Sequence, residues 1–229
     1  MKYSISLLSL VAAVSLATLV TVTDITHQSI GTSVISSKSK IKGGDEYTVL
    51  IPADLSPKQA NLLAMTYNIA KEDGNPHPEK LQGVLIQESK AGGLKSYKVA
   101  GQEFGNKDSE KYYGIFQMKV AAALDVLNKF PSLWRYMQTR EKEEVIANLI
   151  LNDEFAVRMA SKYFLMVGGS TAYNLGSLGA KSVNPKDHHY TVEVDKYAKS
   201  DMIKQLNDQL KNAHGKIILV MNGEQSKRN

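Results

Sequence analysis

Two short runs rich in β-branched residues, Glu46–Ile51 and Lys216–Met221, stand near opposite ends of the chain, and the sequence between them carries helical periods and turn residues. A single strand cannot satisfy its own backbone N–H and C=O groups, and an isolated pair is marginal without a packed face. The two runs are therefore expected to pair and clasp the ends of a helical domain. This predicts a mainly α fold with a short β element joining N- and C-terminal strands.

The helical part divides at its glycines and prolines. Ser56-Pro57 offers an N-cap and a first-turn proline, and Leu62, Leu63, Met65 and Ile69 carry the period to Asp73-Gly74. His77-Pro78 opens a second helix, and residues 92–113 read as a polar loop. A helix with an Ala-rich face follows over residues 118–128, and Pro131-Ser132 breaks it. One long helix is expected over residues 142–166, ended by Gly168-Gly169, then a short one from Ser170-Thr171 to Gly176. A last helix after Asp187-His188-His189-Tyr190 takes its period from Tyr197, Ile203, Leu206 and Leu210.

With 229 residues the chain suits one domain plus appendages. It contains no cysteine, which excludes disulfides, thiol catalysis, cysteine zinc sites and lipoprotein acylation. The net charge of +5 is spread along the chain, so no nucleic-acid patch is indicated, while the mild positive balance suits an anionic polymer such as a cell wall. Residues 1–22 carry Lys2 and an apolar run, the pattern of a signal peptide cleaved after Ala17 or of a retained signal anchor. Either places the remainder outside the cytoplasm, in the periplasm or cell envelope, with any membrane contact confined to that anchor. Residues 23–45 read as a flexible tether, and residues 46–229 as the folded domain.

Within the second helix, Leu81, Val84, Leu85 and Glu88 fall at i, i+3, i+4 and i+7, one apolar stripe with a carboxylate on it. Gly92-Gly93 is expected to stop the helix, which puts Glu88 in or near the last turn, at the negative end of the dipole. Partial burial and the dipole both disfavour the charged form, so the Glu88 pKa is expected to be raised. A carboxyl group protonated near neutral pH is what a general acid requires.

Two further motifs follow in order. Glu88-Ser89 comes first, then Gly114-Ile115-Phe116-Gln117, then Ala172-Tyr173-Asn174, with Tyr190 leading into the last helix. On these residues the chain resembles the soluble-type (SLT) lytic transglycosylases, whose core is shared with goose-type lysozyme. The likeness spans residues 57–200. It departs from the family pattern on the helix before the third motif, where Ala156 and Ala160 precede Tyr163-Phe164 and replace an Asn and a Gly.

The resemblance implies a lysozyme-like α+β domain that cleaves the bond between N-acetylmuramic acid and N-acetylglucosamine in peptidoglycan, without metal or other cofactor. Glu88 would act as acid and then as base, giving a 1,6-anhydro end. Ser89, Gly114, Ile115, Phe116, Gln117, Ala172, Tyr173, Asn174 and Tyr190 would form the substrate site, with the Tyr190 hydroxyl a candidate hydrogen-bond partner of Glu88. Ser89 reads as a brace for local backbone, since no His or Lys stands ready to activate it. A muramidase using a second carboxylate from Glu103, Asp108 or Glu110 stays open, as does a non-catalytic peptidoglycan-binding scaffold. The partners implied are glycan strands and a cell-envelope or phage assembly. His188-His189 lacks a third ligand at metal spacing.

Overall fold

The computed structural model describes residues 32–35, 46–92, 98–99, 111–213 and 216–221. The two terminal runs do pair. β2 (Glu46–Ile51) lies parallel to β5 (Lys216–Met221), with Tyr47 opposite Ile217, Val49 opposite Leu219 and Ile51 opposite Met221. Val49, Ile51, Ile217 and Leu219 enter the core, as the two-residue period requires. The N–H and C=O of Leu50 are both taken by the side-chain amide of Gln209, at 2.7 and 2.9 Å, so a helix side chain closes the edge of β2, the last described strand of the sheet on that side.

A third strand, β1 (Thr32–Ile35), pairs antiparallel with β5, giving the order β1-β5-β2. These four residues lie inside the stretch read as tether. Four residues are too few to carry a visible period, and their pairing is supplied by a partner at the far end of the chain.

Among the described residues, eight α-helices lie between β2 and β5 in the chain. α1 (Pro57–Glu72) begins with a full capping box, in which the Ser56 hydroxyl accepts from the Gln59 N–H and the Gln59 side chain accepts from the Ser56 N–H. α2 (Pro78–Ser89) follows, then the two-residue strands β3 (Lys98–Val99) and β4 (Lys111–Tyr112), an antiparallel pair within the region read as loop. α3 (Val120–Lys129) leads to a 3₁₀ segment, Pro131–Tyr136.

The long helix expected over residues 142–166 is two helices, α4 (Lys142–Leu151) and α5 (Asp153–Val167). Asn152 separates them. Its side chain accepts from the Phe155 N–H at 3.1 Å, and Asp153 and Glu154 occupy the first turn of α5, so local capping wins over the continuing apolar period. The last helix is likewise divided, into α7 (His189–Ala198) and α8 (Asp201–Lys211), with Ser200 as the cap between them. α6 (Ser170–Ala180) kinks at Gly176, where φ is 74°.

The core gathers Leu62, Leu63, Leu81, Leu85, Phe155 and Leu206, each nearly inaccessible to solvent. One polar pair lies among them. Gln82 on α2 and Asn207 on α8 exchange two amide hydrogen bonds of 2.9 and 2.8 Å, and Gln82 also donates to the Leu63 carbonyl of α1 at 3.0 Å. Three helices are thus tied at one buried point. Asn207→Ala leaves both polar ends of Gln82 short of a partner and is expected to destabilise the fold by about 1–3 kcal/mol, read from the midpoint of urea unfolding.

Candidate active site

Glu88 stands in the last turn of α2 and is half-buried. The helix stops at Ser89, before the glycine pair. Lys90 and Ala91 already take left-handed backbone angles, φ 52° and 54°, and Gly92 follows at 91°; Gly93 lies outside the described residues. The Lys90 and Ala91 N–H groups donate back to Ile86 and Leu85, which satisfies carbonyls that a helix end otherwise leaves open. The buried Ser89 hydroxyl donates to the Leu85 carbonyl at 3.1 Å and accepts from the Gly92 N–H at 2.9 Å. Ser89 therefore holds the strained turn behind Glu88 instead of facing a ligand.

Tyr190, in the first turn of α7, donates its hydroxyl to Glu88 Oε1 at 2.7 Å. Tyr173, on α6, donates to the Phe116 carbonyl at 3.1 Å and receives the edge of the Tyr163 ring, with centroids 5.2 Å apart. Burial pushes both phenols well above the usual tyrosine range. The Glu88 charge adds to this in each case, and for Tyr190 the neighbouring Tyr173 and the hydrogen bond to Glu88 add further. Glu88, Tyr173 and Tyr190 thus form one electrostatic cluster assembled from three helices.

The second motif is a tight turn. Tyr113 and Met118 exchange backbone hydrogen bonds, and Gly114-Ile115-Phe116-Gln117 forms the loop between them, closed by the Gln117 N–H on the Gly114 carbonyl. Gln117 is left-handed, with φ 46°, and its side-chain amide also donates to Gly114. Gly114 has φ 73°, and a Cβ there would lie 2.0 Å from the Leu149 carbonyl oxygen at the end of α4. The missing side chain therefore makes room for α4, where a sugar was expected. Ile115 and Phe116 are core residues, and the Phe116 carbonyl is taken by the Tyr173 hydroxyl.

Gln117, Tyr173 and Asn174 line a cavity of about 210 Å³ together with Tyr112, Tyr163 and Gly176. Lys119 stands at this cavity with its ammonium 5.1 Å from the centre of the Tyr112 ring. Ala172 is buried and lines a different cavity, of about 650 Å³, with Thr171, Gly169 and Pro185. The structure thus brings Glu88, Tyr173 and Tyr190 together, sets the exposed Asn174 at an adjoining cavity, and turns Ser89, Ile115, Phe116, Ala172 and also Gln117 inward, Gln117 with its amide on the Gly114 carbonyl. Tyr163 reaches this cavity from α5, the helix before the third motif, and Tyr112 from β4, while Lys119 has no period or motif that marks it in the sequence. Glu103, Asp108 and Glu110 lie outside the described residues. Among the described residues no three His, Asp or Glu side chains gather as a metal set, and the His188 ring instead meets the Thr191 hydroxyl at 3.3 Å.

The chain matches no protein-family model, no curated protein and no solved structure. The geometry of the site therefore carries the functional reading.

Two measurements follow from this geometry. Gly114→Ala meets a backbone oxygen in a left-handed conformation and is expected to destabilise the fold by about 2–4 kcal/mol in thermal or urea unfolding. The tyrosines give a pH dependence. Above about pH 10 the unfolded chain loses phenolic protons that folded Tyr173 and Tyr190 retain, so stability falls as pH rises through that region. Urea unfolding at about pH 9 and 11 should show the fall, and Tyr190→Phe or Tyr173→Phe should reduce it.

Proposed function

We propose that the chain is an exported peptidoglycan lytic transglycosylase that cleaves the glycan strand at N-acetylmuramic acid. The observation that carries this reading is the 2.7 Å hydrogen bond from Tyr190 to Glu88. It joins the first motif to the residue that the resemblance places beside the acid, across 102 positions of sequence.

The chemistry needs one carboxyl group used twice. With Oε1 accepting from Tyr190, Glu88 presents its proton on the other carboxyl oxygen to the glycosidic oxygen. The C1–O bond breaks and positive charge develops at the muramyl C1 and ring oxygen. The Glu88 carboxylate so formed is held by the same Tyr190 hydrogen bond, which is stronger to a charged acceptor than to a neutral one. It then takes the proton of the muramyl C6 hydroxyl as that oxygen bonds to C1. A 1,6-anhydro ring closes, no water is consumed, and Glu88 regains its proton.

Asn174 supplies an exposed amide donor and acceptor for sugar and acetamido groups at the adjoining cavity, and Gln117 braces its wall through the Gly114 carbonyl. The Tyr163, Tyr173 and Tyr112 rings offer apolar faces there.

Purified sacculi are the substrate for the test, with products identified by mass spectrometry. Muropeptides with 1,6-anhydromuramic ends are expected, and Glu88→Gln should lower their release by at least about 10²-fold. Reducing muramic ends in their place would turn the reading to a hydrolase. Binding to sacculi without any soluble product would turn it to a scaffold.

A further inference from the structure

We infer that Gly83 is a positioning residue for the Glu88–Tyr190 pair, a role outside all three motifs. The inference rests on the proposed function for its catalytic consequence, but its geometric content stands on the contact between α2 and α7.

Three pairs of residues step along that contact in opposite chain directions. Lys80 meets Asp195, with Nζ to Oδ1 at 3.1 Å; Gly83 meets Val194; and Glu88 meets Tyr190. At Gly83 the contact is backbone to backbone. A Cβ built there would lie 2.5 Å from the Val194 carbonyl oxygen and 3.1 Å from its Cγ1. The nearer atom belongs to the helix itself and cannot rotate away as a side-chain end could. Gly83 and Val194 are both buried at the middle of their helices, so α7 as a body must retreat if the position gains a methyl group.

Helix propensity gives no reason for glycine at this position, since alanine is the better helix former. Close approach to Val194 does. Gly83 precedes Glu88 by five residues, roughly 7.5 Å along the helix. A displacement of α7 there reaches Tyr190 with little chance to die out, because Tyr190 lies only four residues from Val194. Thr191, next to Tyr190, is bonded to Thr171 on α6 at 2.8 Å, so the N-terminal end of α7 is also held from a second side. An added methyl at Gly83 sets these two constraints against each other, and the 2.7 Å bond to Glu88 is the contact between them.

The test is a double-variant cycle of Gly83→Ala and Tyr190→Phe with two readouts. One is turnover of purified sacculi. The other is the pH titration of the Glu88 carboxyl carbon by ¹³C NMR, assigned by its loss in Glu88→Gln. Gly83→Ala is expected to lower kcat about 10-fold or more with little change in KM, and to move the Glu88 titration in the same direction as Tyr190→Phe. In the Tyr190→Phe background it should add nothing to either readout.

A Gly83→Ala protein with wild-type turnover and an unmoved Glu88 titration overturns the inference. So does a double variant whose losses multiply. Should the wild type release no muropeptides, the transglycosylase reading fails, yet the titration cycle still decides whether Gly83 places Tyr190. Should Gly83→Ala not fold, Gly83→Ala with Val194→Ala removes the Cγ1 part of the clash and is measured in its place, against Val194→Ala as reference.

Discussion

The packing of α2 on α7 is the contact on which the site depends. It lets a phenol at the start of one helix reach a carboxylate at the end of the other. Because the two helices run in opposite directions, the first turn of α7 comes to rest beside the last turn of α2, and Tyr190 meets Glu88 there. The rest of the fold reinforces this pairing. The Gln82–Asn207 amide pair and the Leu63 carbonyl anchor the opposite face of α2 to α8 and α1, so α2 is fixed from behind while α7 lies on its front. The terminal strands then close α8 against the sheet through Gln209, which carries the constraint to the ends of the chain.

The opposite wall is built by a different device. A tight turn with two left-handed residues, Gly114 and Gln117, is pressed against the end of α4 and tied to α6 through the Tyr173 hydroxyl. Left-handed backbone at Lys90, Ala91 and Gln117 stores strain that the surrounding bonds must overcome. Those bonds are present in each case: Ser89 to Gly92 and Leu85 in the first turn, and Gln117 to Gly114 in the second.

What could be read from the sequence follows the range of the forces involved. The N-cap at Ser56, the apolar stripe ending in Glu88 and the strand pairing of β2 with β5 rest on spacing or on backbone satisfaction, which a sequence displays directly. The breaks at Asn152 and Ser200 were hidden because apolar periods continue through them, and only the capping side chain decides. β1 was hidden because four residues carry no period and the partner strand stands at the other end of the chain. Gly83 was invisible for a related reason. It acquires its part only when a second helix is laid against it, and nothing in the local sequence names that helix.

The motif residues therefore divide by the direction in which they face. Ser89, Gly114, Ile115, Phe116 and Ala172 were read as ligand contacts, yet their side chains, or the lack of one, serve the interior. This division is what a half-buried acid demands. A carboxyl group at a helix end keeps one orientation only if the turn behind it, the wall opposite and the phenol beside it are each held by groups that do not themselves meet solvent. A short motif around such an acid must consist mostly of frame. The polar side chains that keep an outward-facing part are then few, and among the motif residues they are Glu88, half-buried, and Asn174, exposed beside the adjoining cavity.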